Sequence, residues 1–115
     1  MTVKECYETM GENYEEVIGR LMVDDRVEKY LKKFRDANDY QKVVESLDAE
    51  DYETAFRNVH SIKGLSLNLS FGKLRDSSDK LCEALRGGKP EGDISGLLAD
   101  MKKDYDVVVD AINQL

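Results

Sequence analysis

From Asp51 onward the apolar positions of the chain fall at helical spacing. Ala55, Val59, Ile62, Ser66 and Leu69 are separated by four, three, four and three residues, which lines one face of a helix turning about 100° per residue. Phe71, Leu74, Ser78, Leu81 and Leu85 continue the pattern as far as "RGGKPEGD", Arg86 to Asp93, the strongest loop signal in the chain. Gly87 and Gly88 suit a helix C-terminus, and Asp93 or Ser95 suits the cap of the next helix. That last helix carries Leu98, Met101, Tyr105, Val108, Ile112 and Leu115, again at alternating spacings of three and four. Upstream, Val17, Leu21, Val27, Leu31 and Phe34 keep helical spacing, with an acidic break at Asp24-Asp25 that suits a new helix start. Val43, Val44 and Leu47 mark a short helix. The pattern predicts an all-α fold, an antiparallel four-helix bundle with additional short N-terminal helices. It predicts a single helical domain over residues 1–115. Residues 1–50 supply the N-terminal helices, and residues 51–115 supply a helical hairpin and a closing C-terminal helix.

Composition narrows the function classes. Of 115 residues, 41% are apolar, which argues against disorder. A formal charge of −7 is wrong for neutralising nucleic-acid phosphates and for adsorbing to an anionic membrane. No apolar run approaches the length of a membrane span, and "MTVKECYETMGENY" has no signal-peptide pattern, so a cytoplasmic location is expected. Cys6 and Cys82 lie far apart without nearby Cys or His partners. Free thiols are expected, with Cys82 packing as a small hydrophobe, and no metal site is expected.

The chain has one histidine, in "FRNVHSIKGLSLNLSF". On a helical wheel His60 falls about 140° from the centre of the apolar stripe, on the solvent side. A core histidine is thereby disfavoured; an ordinary surface residue and a functional imidazole both remain open. Glu53, Phe56, Arg57, Lys63, Gly64 and Leu67 share its face. A glycine inside a helix costs about 1 kcal/mol relative to alanine. The missing Cβ at Gly64 therefore points to close approach by a partner. Lys63, one turn on, suits a negative group on the ring. Phe56 and Leu67 are apolar on the wrong face, fitting either a docking surface or packing under the N-terminal helices. Arg57, Arg86 and Lys89 fit either rim contacts or solvated charges. No G-x-S-x-G, second histidine, Walker or G-x-G-x-x-G motif is present. A free imidazole is largely neutral and nucleophilic near pH 7, able to accept a phosphoryl group on nitrogen and pass it on.

"HSIKG", His60 to Gly64, with the bundle periodicity around it, resembles the histidine-containing phosphotransfer (HPt) domains of phosphorelays. The resemblance covers most of the chain from about Asn13. Many members have glycine where this chain has Ser70, and Ile62 stands for the commoner leucine. The resemblance implies that His60 is the phosphoacceptor, Lys63 neutralises phosphoryl charge and Gly64 gives steric access. Phe56, Arg57 and Leu67 would contact the partner. It implies response-regulator receiver domains and a sensor or hybrid histidine kinase as partners. It implies no cofactor in this chain, Mg²⁺ being supplied by the receiver, and a phosphocarrier rather than an enzyme. A monomer is expected. Two other readings stay open: the phosphoacceptor domain of a chemotaxis-type histidine kinase, and a helical adaptor that is not phosphorylated.

Overall fold

The computed structural model describes residues 1–90 and 92–115; Glu91, inside the predicted loop, lies outside the described residues. All regular structure among the described residues is helical: α1 (Val3–Met10), α2 (Tyr14–Leu21), α3 (Asp24–Asp36), α4 (Asp39–Asp48), α5 (Tyr52–Asn68), α6 (Gly72–Leu85) and α7 (Ser95–Ile112). Local chemistry sets most of these limits. Thr2 and Glu5 form a reciprocal capping box at the start of α1, with bonds of 3.0 and 3.1 Å. Gly11, at φ 73°, ends that helix in the left-handed region. Asn13 and Asp51 cap α2 and α5 by accepting from the backbone N–H groups of Glu16 and Thr54. The acidic pair Asp24-Asp25 opens α3, as the sequence predicts. At α7 the detail differs, because Ile94 occupies the cap position without a side-chain bond. Asp93 instead accepts from both the N–H and the hydroxyl of Ser95, at 2.9 and 2.7 Å, and shapes the turn before the helix.

The predicted stripes are the core. Val17, Leu21, Val27, Leu31, Phe34, Ala55, Val59, Ile62, Leu69, Phe71, Leu74, Leu81, Leu85, Met101, Val108 and Ile112 are all buried. Each large one contributes about 1.5–3 kcal/mol through removal from water. Leu98, Tyr105 and Leu115 are half-buried against them. Helix α5 lies between α4 and α6, and α6 packs on α7. Tyr40 of α4 stacks on Tyr105 of α7 with ring centroids 4.5 Å apart, closing a ring of four helices. Helices α1, α2 and α3 pack on one another, and α1 and α3 also pack on α7.

One end of this ring, at the turn between α5 and α6, is tied down from outside. Phe71 packs between Tyr7 of α1 and Phe34 of α3, at centroid distances of 6.1 and 5.2 Å. The buried Tyr7 hydroxyl donates to the Leu69 carbonyl at 2.7 Å. Arg20 of α2 donates to the carbonyls of Leu67 and Asn68 and to Ser70 Oγ, at 3.2, 2.7 and 2.9 Å. A cation thus satisfies the bare carbonyls at the negative end of α5. Ser70 has φ 61°, in the left-handed region that glycine adopts freely. A serine in that conformation costs about 1–2 kcal/mol. Here its hydroxyl recovers part of the cost by accepting from Arg20 and donating to Glu16 at 3.0 Å.

Candidate functional site

Helix α5 presents His60 outward while its chain neighbour Val59 is fully buried, so the imidazole stands in solvent on a rigidly packed helix. Phe56, one turn earlier, is half-buried, its ring centroid 6.1 Å from that of the imidazole. Gly64, one turn later, is exposed, and a Cβ built there meets nothing within 4 Å. Leu67 continues the same face and is 55% exposed. The alternative for these apolar residues, packing under the N-terminal helices, is not what the structure has. Phe56 lies under the Arg86 guanidinium at 5.6 Å, and Arg20 of α2 meets Leu67 at its backbone carbonyl.

Lys63 is half-buried and its Nζ lies 2.8 Å from Asp79 Oδ1 on α6. That contact raises the Lys63 ammonium above its ordinary pKa and lowers the Asp79 carboxyl below its own, so the pair stays ionised at neutral pH. Arg86 is held in the same way by a two-pronged contact with Glu83, at 2.6 and 3.1 Å. The bond to Arg86 lowers the Glu83 carboxyl. Phe56, Arg57, His60 and Arg86 line one open hollow. Arg57 sits on its rim, 3.9 Å from Glu53 and donating to Thr54 Oγ1 at 3.2 Å. Lys89 is exposed in the loop after α6. All six residues singled out by sequence, His60, Lys63, Gly64, Phe56, Arg57 and Leu67, thus share the outer face of α5.

The structure adds two that the sequence left out or left open. Asp79 was not singled out, and Arg86 was open between rim contact and solvated charge. The hairpin register brings both in. Lys63 and Asp79 lie eight residues either side of Phe71, and Phe56 and Arg86 lie fifteen either side, so each pair meets across α5 and α6. Once the turn is placed at Ser70-Phe71, that symmetry is the signal that finds them.

The arrangement offers a reachable nucleophile, an open approach over Gly64 and two nearby cations. Among the described residues, no group of three or more His, Cys, Asp or Glu stands close enough to hold a metal ion. No described helix is long and apolar enough to cross a membrane. Cys6 and Cys82 are free and buried, as expected of small core residues.

In comparison with known proteins, the family model of the Hpt domain matches residues 25–115. No curated protein and no solved structure gives a significant match. The family match begins at Asp25, in the first turn of α3, so α1 and α2 lie ahead of it, whereas the resemblance read from residues reaches back to about Asn13. Because that match takes in most of the sequence and the whole of the His60 face, the chain belongs to the Hpt domain family, the phosphocarrier modules of two-component phosphorelays.

Proposed function

We propose that His60 is a phosphorelay intermediate, charged by the aspartyl phosphate of one receiver domain and discharged to the aspartate of another. The observation that carries this reading is the exposed imidazole beside an unfilled Cβ position at Gly64. The lone pair of the unprotonated ring nitrogen forms the N–P bond as the P–O bond to the donor aspartate breaks. The electron pair leaves on the donor carboxylate, and the ring proton stays on the other nitrogen. Discharge runs the same exchange toward a second receiver. Little covalent machinery is required, because positioning and charge neutralisation supply most of a phosphoryl transfer. Lys63 and Arg86 supply the positive charge from this chain, and the receiver supplies its aspartate and Mg²⁺. Phe56 and Leu67 give the apolar part of the docking face, with Arg57 at its rim. The domain acts as a cytoplasmic monomer without catalytic machinery of its own.

The test is transfer from a phosphorylated receiver with Mg²⁺, beside a His60→Gln control. Label that reaches the wild type, is lost in acid and is absent from the control supports the reading. No label from several receivers, with the domain folded, overturns it. Adding a chemotaxis-type kinase core with ATP then separates a kinase-fed phosphoacceptor from an adaptor that is never phosphorylated.

A further inference from the structure

Each described cation around the imidazole already has a carboxylate of its own. Lys63 meets Asp79 at 2.8 Å, Arg86 meets Glu83 at 2.6 Å and Arg57 meets Glu53 at 3.9 Å. Asp79 and Glu83 on α6 and Arg86 just past its end follow one another at spacings of four and three and form a single strip, and Asp79 and Arg86 reach across to α5. All three ion pairs are substantially exposed, and pairs of that kind contribute little to fold stability. Their convergence on one imidazole therefore calls for a reason in charge rather than in folding.

A phosphoryl group on His60 carries close to two negative charges at neutral pH. To be neutralised it must draw Lys63 and Arg86 away from partners they already hold. Asp79 and Glu83 are then left beside it as uncompensated like charges. Resting on the phosphotransfer reading above, we propose that Asp79 and Glu83 are positioning residues that compete with the phosphoryl group for Lys63 and Arg86. They thereby limit how firmly the group is kept on His60. A carrier whose cations were free would hold phosphate more tightly and release it more slowly. The two carboxylates keep the charged state close in energy to the discharged one, so that phosphate passes in either direction.

The experiment uses the full chain, charged first with phosphoramidate and then equilibrated with a receiver domain and Mg²⁺. Phosphohistidine is read by ³¹P NMR. Glu83→Gln and Asp79→Asn each remove one competing charge and keep an oxygen acceptor, so each raises the phosphohistidine share by about threefold, as expected for one partly screened charge. The gap from wild type closes in roughly 1 M salt, where the screening length is about 3 Å. Asp106→Asn makes the same change of charge in the Lys102 ion pair on α7 and leaves the share unchanged. An unchanged or lower share in both variants, or an equal rise in the α7 control, overturns the proposal. A wild type that takes no phosphate from phosphoramidate or any receiver overturns the phosphotransfer reading and this proposal with it. A charged wild type with flat variants overturns this proposal alone.

Discussion

Gly64→Ala should make the protein more stable and less active in one step. The position lies inside α5, four residues before its end, where glycine is about 1 kcal/mol less favourable than alanine. No steric term opposes the gain, because a Cβ there meets nothing within 4 Å. Spread over the unfolding entropy of a chain of 115 residues, 1 kcal/mol corresponds to a rise in Tm of about 4 °C. The same methyl group stands one turn from His60, on the face a receiver must cover. Transfer needs the reacting atoms within about 3–3.5 Å, and displacements of about 1 Å cost on the order of a hundredfold. Alanine should therefore slow transfer by roughly tenfold, and Gly64→Gln should slow it further. The assay pairs a thermal melt followed by circular dichroism with the initial rate of phosphohistidine formation from a phosphorylated receiver. A fall in Tm for the alanine variant would refute the account of the free space. Unchanged rates in both variants would refute the placement of the docking face.

Three further outcomes are expected. Lys63→Ala lowers the rate of phosphoryl transfer by about tenfold, an effect of about 1.4 kcal/mol. It shifts the urea midpoint little, since an exposed pair such as Lys63–Asp79 contributes about 0–1 kcal/mol to folding. The buried hydroxyl of Ser78 has no hydrogen-bond partner among the described residues, so Ser78→Ala should raise the unfolding free energy by about 1 kcal/mol in urea titration; a loss would mean that the hydroxyl is satisfied. Burial pushes the Cys6 thiol up from 9.0 to about 11. The folded state then keeps a proton that the unfolded state gives up, so this contribution is whole below pH 9 and declines toward pH 11. Unfolding free energies measured between pH 8 and 10 should fall less steeply for Cys6→Ala than for the wild type.

Much of the architecture was legible because it is written in local periods. The stripe from Ala55 to Leu69 needs only helical geometry to be recognised, and the same wheel that buries Val59 turns His60 outward. The starts of α3 and α5 were similarly near the surface of the sequence, in Asp24 and Asp51. What stayed hidden depends on partners distant along the chain. Tyr7 finds the Leu69 carbonyl 62 residues away, and Arg20 finds the end of α5 across 47 and 48. Neither residue carries a mark that distinguishes it from its neighbours before the helices are assembled. Asp79 was missed for a milder reason. On α6 alone it reads as a solvated carboxylate beside the apolar stripe, and only the register of the hairpin shows that it faces Lys63. The local sequence around Ser70 does not show that Glu16 and Arg20 occupy its hydroxyl.

The clasp made by Tyr7 and Arg20 also separates two kinds of boundary. The family match begins at Asp25. The cooperative unit does not, because a cut at that residue removes the ring that covers one side of Phe71 and the donor for the Leu69 carbonyl. It also strips the guanidinium from the carbonyls that close α5. The two leading helices are thus a collar fitted to the hairpin rather than a preface to it, and the family match and the integrity of the fold begin at different residues.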